Sequence, residues 1–329
     1  MSVFLTSAYP YDAQNNFGPQ WLLEHADDAG RALCTDDPEA AQCILFVENH
    51  PPADPYFLAV RRHELFRKYP DKCVLYHDAD RSVTAMRTIS PSIERWQYDP
   101  RHKRTAHYIA RLCENDGVNA VSTVDHGAGR HLYSFQGAAS THPVRAALLA
   151  MPHPDDTHLE DTSGRHAWLM SPQDKCDYER RYVAVTLASD FVLCPRGIGP
   201  ATYRQFEVMQ LGRAPVIISD DWVEIPGPDW NRCSIRIREA DIARIPVVLR
   251  ERRHEAAAIG RAAKAAWENH FSPSASLATV ARSALELADT QYSLLNAAAD
   301  LAQFRDPWHA RNLVRYARNY LRAHRQARR

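Results

Sequence analysis

Short apolar runs alternate with amphipathic stretches along most of the chain. Residues 3–6 predict a first strand and residues 19–32 a helix. Residues 43–47 form a second apolar run, and it stops at a loop carrying Pro51 and Pro52. Apolar pairs at helical spacing, Phe57 with Val60 and Leu58 with Leu65, predict a helix over 56–68. A short strand over 74–76 leads into Asp78 and Asp80. Residues 87–128, rich in histidine, arginine and turn formers, carry no clean period. A strand over 132–135, closed by Gly137, and a helix over 143–151 follow.

The polar stretch from Met151 to Arg165 reads as a linker, so a domain boundary is expected there. Beyond it the pattern predicts a helix over 178–189, a strand over 191–194, a helix over 200–211 and strands over 214–218 and 233–237. A single turn over 240–244 is stopped by Pro246. Helices are expected over 255–270, 274–287 and 307–325, the last with Pro307 near its start. Strands and helices alternating in both halves argue for two α/β units with mostly parallel sheets.

Composition narrows the class. The chain has 329 residues, 45% hydrophobic and 24% charged, which is ordinary for a globular protein. Forty basic residues balance forty acidic ones, so no global field attracts nucleic acid or an anionic membrane. The seven cysteines (34, 43, 73, 113, 176, 194 and 233) include no CxxC and read as reduced. The N-terminus has no basic region followed by an apolar stretch, and no run is long enough to span a bilayer. A cytoplasmic protein is expected.

The most informative chemistry lies in residues 189–221. The apolar run 191–194 leads into Pro195, Arg196, Gly197, Ile198 and Gly199, and Pro200 suits the start of a helix. Glycines let a backbone approach a ligand, and a helix N-terminus offers unpaired N–H groups to an anion. Arg196 adds a fork suited to phosphate. Together they make a diphosphate cradle at the carboxyl end of a strand, where open α/β sheets bind ligands. Arg204 and Glu207 share a face of the following helix, which Gly212 ends. A carboxylate there can accept from both ribose hydroxyls of a nucleotide. A glycine loop with a surface Arg204–Glu207 pair accounts for the same pattern without any ligand.

The order of residues 191–199, then Arg204 and Glu207, then Gly212, 215–218 and Asp220, resembles the exostosin-like glycosyltransferases of family 47. The run 132–137 followed by His142, Pro143, Val144 and Arg145 is similar to a segment those proteins carry at the end of their first domain. The resemblance covers residues 130–270 well and the first 120 loosely. It implies a GT-B architecture of two Rossmann-like domains facing a cleft. The expected division is an acceptor-side domain over 1–160, a nucleotide-sugar domain over 161–305, and a C-terminal helix, 306–329, packing back on the first domain. It implies a nucleoside diphosphate sugar donor, usually UDP-linked, a glycan or lipid-linked glycan acceptor, inversion at the anomeric carbon, and neither metal nor cofactor. Carried over by position, Arg196 holds the diphosphate and Glu207 the ribose, with Gly197, Gly199, Thr202 and Arg204 beside them.

The base that deprotonates the acceptor has three candidates, Asp12, Asp125 and His126, each equally an ordinary turn residue. Asp78 and Asp80 form an Asp-x-Asp pattern, so a metal-dependent transferase using Mn²⁺ or Mg²⁺ stays open as an alternative. A non-catalytic nucleotide-sugar-binding or scaffold protein is another. Near the C-terminus, Leu313, Tyr316 and Tyr320 share one helix face, and the arginines from Arg322 onward suit an anionic membrane surface, the inner face in a cytoplasmic setting. No nucleic-acid partner is expected.

Overall fold

Ten strands divide into two parallel sheets in the computed structural model, which describes residues 2–10, 18–49, 51, 53–109, 114–123 and 127–326, leaving aside the side chains of Trp168 and residues 323–326. The first sheet takes β1 (Val3–Thr6), β2 (Cys43–Glu48), β3 (Cys73–His77), β4 (Thr88–Ile89) and β5 (Lys103–Arg104), paired in that order. The second takes β6 (His131–Gly137), β7 (Thr157–Asp161), β8 (Ser189–Pro195), β9 (Ala214–Ile218) and β10 (Ile235–Arg236), in the order β10-β9-β8-β6-β7. Every pairing is parallel. Every residue of β2, β3, β8 and β9 is buried, which explains continuous apolar runs where a half-exposed strand would alternate. Two such units are the GT-B arrangement.

The helices of eight residues or more among the described residues are α1 (Gly18–His25), α2 (Pro143–Ala150), α3 (Pro172–Leu187), α4 (Tyr203–Gln210), α5 (Ala256–His270), α6 (Pro273–Ala288), α7 (Leu294–Leu301) and α8 (Pro307–Gln326). The expected helix over 56–68 is two short ones, because His63 is extended and its ring caps the second by accepting from the Leu65 N–H. The expected turn over 240–244 is present as a short 3-10 helix, Glu239–Arg244, and Pro246 lies near the start of the helix that follows it, Ile245–Glu251, where its missing N–H costs nothing.

The domain limits need correction. Residues 151–165 are not a linker, since β7 lies among them and pairs with β6 from Tyr133 opposite Thr157 to Gly137 opposite Asp161. The change of sheet falls between Arg104 and His131 instead of at 160/161. The limit at 305 is also wrong. α6 buries Leu277, Val280, Ala281 and Ala284 against Val3, Leu45, Val74 and Tyr76 of the first sheet, so the chain has crossed back by residue 277. The face that α6 buries recurs at three- and four-residue spacing. α8 meets the first unit too, with Tyr316 edge-on to Tyr56 and the Arg81 guanidinium over Trp308.

The carboxyl edges of the two sheets face each other. Loops after β3 and β4 touch loops after β8 and β9. Arg81 Nε donates to the Ile198 carbonyl (3.2 Å), and Arg95 donates from its backbone N–H to Asp221 O (2.8 Å) and from Nη2 to Trp222 O (2.8 Å). This meeting line is where ligands of open α/β sheets bind.

Candidate active site

β8 ends at Pro195 and delivers Arg196, Gly197, Ile198 and Gly199 to the meeting line. Here Arg196 meets protein carboxylates. Its side chain is 5% exposed and is gripped by Glu94 from the first unit and by Asp221 after β9 (2.8 Å), with Glu239 at 3.9 Å. A guanidinium already neutralised by carboxylates has little charge left for a diphosphate, so Arg196 ties the two units together.

The glycines serve as expected of close approach, but their neighbours are protein groups. A Cβ on Gly199 would stand 3.2 Å from Ser92 Oγ and 3.4 Å from the Asp80 carbonyl. One on Gly197 would stand 3.3 Å from Arg145 Nη2. Thr202 takes the extended N-cap conformation of α4, yet its hydroxyl makes no cap bond. Helix α4 therefore begins three residues later than Pro200 suggested.

The cationic part of the site is a different pair, Arg145 and Arg204. Arg145, in the first turn of α2, is 7% exposed and reaches across to β8, donating from Nε to Arg196 O (2.9 Å) and from Nη2 to Pro195 O (3.1 Å). Arg204 donates to the Gln136 carbonyl at the end of β6, and its guanidinium lies 4.8 Å from the Phe135 ring centre. Gly137 makes room for it, since a Cβ there would meet Arg204 Nη2 at 2.8 Å. Burial, and then the Arg204 charge, push the Arg145 guanidinium down to about 9. Among the described residues neither arginine is ion-paired with a carboxylate, and Arg204 Nε and Nη1 are buried without a hydrogen-bond partner. Two like charges held together this way suit an anion.

Glu207, one turn on, lies beside the buried Tyr182, whose hydroxyl it helps to hold protonated after burial itself. His142 caps α2, its Nδ1 accepting from the Val144 N–H (3.3 Å), and burial followed by Arg196 lowers its pKa. In the neutral ring that tautomer leaves Nε2 as a donor, not a base. Asp78 and Asp80, after β3, act electrostatically on Tyr108 and Tyr203. Among the described residues no three His, Cys, Asp or Glu side chains gather where a metal could sit. Asp12, Asp125 and His126 lie outside the described residues.

Sequence reasoning missed Arg145, Glu94 and Glu48. Arg145 carried a signal, because a cation in the first turn of a helix opposes the dipole and needs another reason to be there. Glu48 ends β2 opposite His77, fully buried, taking hydrogen bonds from Ser7 Oγ and the Ala8 N–H (both 2.8 Å); burial pushes its carboxyl up to about 8.

Residues 91–252, just under half of the chain, match the family model described as the Exostosin GT47 domain. The chain is 30% identical over 134 residues to Exostosin-1 homolog of Caenorhabditis elegans, a match covering 36% of this chain and 35% of that protein. It is 27% identical over 158 residues to Exostosin-1 of Drosophila melanogaster, covering 43% and 20%. The match thus spans about a third or less of the length of these relatives. Among solved structures, it is similar to Anabaena Alr3699/HepE in complex with UDP and glucose, with 11% identity, 81% of this chain and 94% of that chain covered, and a TM-score of 0.32.

Proposed function

We propose that this chain, whose residues 91–252 match the Exostosin GT47 domain, is a glycosyltransferase of that family. It moves a sugar from a nucleoside diphosphate, with UDP the favoured carrier, to a glycan or lipid-linked glycan, with inversion and without a metal. The observation that carries this reading is the Arg145–Arg204 pair beside the glycine loop, two guanidiniums that make no ion pair with a carboxylate among the described residues, with Asp80 acting on Arg145 only at longer range.

In this reading the acceptor oxygen forms its bond to the anomeric carbon as the bond to the β-phosphate oxygen breaks, and the acceptor proton passes to a base. Negative charge grows on the departing diphosphate. Arg204 and Arg145 are fixed before the reaction, so their field acts without reorganisation cost. Glu207 takes the ribose hydroxyls. The base is drawn from Asp12, Asp125 and His126, the sequence candidates. Among the described residues no helix is long and apolar enough to cross a membrane; the arginines of α8 give the contact with an anionic surface where lipid-linked acceptors reside.

A thermal-shift panel of UDP, GDP, CDP, ADP, dTDP and CMP, each with and without EDTA, tests the donor. A ligand at about 100 times its Kd adds about 2.7 kcal/mol, enough for a shift of several degrees. A shift by one nucleoside diphosphate regardless of EDTA is expected. A shift that needs a divalent metal brings Asp78 and Asp80 forward, and no shift at all removes the donor site.

A further inference from the structure

Helix α7 is inside out. Its outward face is apolar: Leu294, Ala298 and Leu301, spaced four and three apart, are exposed, as are Leu295 and Ala299 beside them. Leu294 is 89% exposed, Leu295 81% and Leu301 51%. Its inward face is polar. Asp300 is buried against the first unit, where Lys103 Nζ of β5 reaches it at 2.6 Å, the Tyr292 hydroxyl donates to it at 2.7 Å and His102 Nε2 stands 3.6 Å away. Just beyond the helix, Gln97 Nε2 donates to Gln303 Oε1 (3.1 Å).

A helix on a globular surface ordinarily does the reverse. A half-turn about its axis would bury the leucines and free Asp300, and an aspartate is almost never buried without partners. Here the first unit supplies those partners, so the outward set of the leucines is fixed from within. Single exposed leucines are ordinary, whereas three on one face with two alanines beside them make a continuous apolar strip of the kind that marks a contact surface.

Charge around the strip selects its partner. After residues 302–306 the chain enters α8, and both helices are seated on the first unit. From Leu294 to Arg322 the sequence has five arginines (305, 311, 315, 318 and 322) and two aspartates, 300 and 306. Asp300 is already neutralised by Lys103, whereas all five arginines are exposed. α8 adds exposed Val314 and Leu321 to the apolar surface. A second copy of this chain would bring the same arginines against these ones, since a two-fold contact pairs a patch with itself. An apolar face beside a row of exposed guanidiniums instead matches a bilayer surface, with acyl chains below and anionic headgroups above.

We propose that α7 inserts its leucine face into the acyl boundary of an anionic membrane, with α8 lying on the headgroups beside it. That this brings the site to a lipid-linked acceptor rests on the glycosyl-transfer reading; the insertion does not. Salt screens the arginine contact of α8, whereas an apolar insertion by α7 persists in salt.

Sedimentation of the full chain with phosphatidylglycerol vesicles tests it, at about 0.1 M and about 1 M salt, where the screening length falls from about 10 Å to about 3 Å. The variant combines Leu294→Gln and Leu295→Gln, and both positions are so exposed that folding is little affected. Partitioning should fall about a hundredfold, tenfold for each leucine withdrawn from the bilayer, and by the same factor at both salts. A variant that partitions like the natural protein overturns the proposal. So does a dimer of the natural protein, seen by ultracentrifugation without lipid and abolished in the variant, because it gives the face to a second copy. A UDP thermal shift on the same samples separates the two readings. A shift without lipid binding removes the membrane insertion alone, and lipid binding that the variant loses, without any nucleotide shift, leaves the insertion standing and removes the transferase.

Discussion

Arg196→Ala separates the structural reading of this residue from the one its sequence context suggests. The side chain is 5% exposed and its Glu94 partner 12%, so the pair is buried on both sides. Asp221, the second partner, is 37% exposed and its contribution is screened by solvent. Removing one member of a buried ion pair costs about 3–5 kcal/mol, because the other is left charged and dry. Here truncation leaves Asp221 and Glu239 without that cation and Glu94 with only the longer contact to Arg81 at 4.0 Å. We expect about 3–4 kcal/mol of lost stability. Glu94→Gln keeps Asp221 as a counter-charge and should cost about half as much, roughly 1–2 kcal/mol. The double variant should recover part of the sum, with a coupling energy of about 1–2 kcal/mol. Urea unfolding of the four proteins gives these values, and titration with UDP and with uridine gives the ligand side. Selective loss of diphosphate affinity is not expected, since the guanidinium is already neutralised. An Arg196→Ala protein with an unchanged urea midpoint and a larger loss for UDP than for uridine would refute the argument and return Arg196 to the diphosphate.

Arg204→Ala should do what Arg196→Ala does not: raise the UDP Kd by about 10- to 150-fold, the worth of a charge-assisted hydrogen bond at about 1.5–3 kcal/mol, with uridine binding little changed; calorimetric titration of both ligands checks it. Glu48 gives a pH signature. Its carboxyl is raised to about 8 against about 4.3 unfolded, so its contribution to stability is full below about pH 4.3 and is lost as pH rises through 8. Urea midpoints of Glu48→Gln should therefore pull ahead of the natural protein between pH 5 and pH 8, by at most about 1.4 kcal/mol per pH unit, and parallel profiles would place the charge elsewhere. On α8, Arg311, Arg315, Arg318 and Arg322 are exposed at four-, three- and four-residue spacing, on one face beside exposed Val314 and Leu321. At about 1 kcal/mol per basic residue near an anionic surface, changing all four to glutamine should cut partitioning onto phosphatidylglycerol vesicles by roughly a thousandfold, and equal partitioning in sedimentation would remove the membrane contact.

The strands were legible because parallel strands buried on both faces leave long apolar runs, and 43–47, 191–194 and 214–218 all proved to be such strands. β7 was hidden for the opposite reason. It sits at the sheet edge, Thr157–Asp161 is only half-buried, and its His-Leu-Glu-Asp composition reads as a loop. The return of α6 to the first sheet is a tertiary fact that no local pattern encodes. The site shows the same division. The glycine loop, Arg204 and Glu207 announce themselves by spacing, whereas the fate of a guanidinium depends on which carboxylates the fold brings to it. Arg196 and Arg204 look alike in sequence, one just after a strand and one just inside a helix. Glu94, some hundred residues upstream, neutralises the first, and the Gln136 carbonyl and the Phe135 ring hold the second without cancelling its charge. An anion needs charge that the protein has not already neutralised, so Arg204, which makes no ion pair with a carboxylate among the described residues, is the one to test first against a diphosphate.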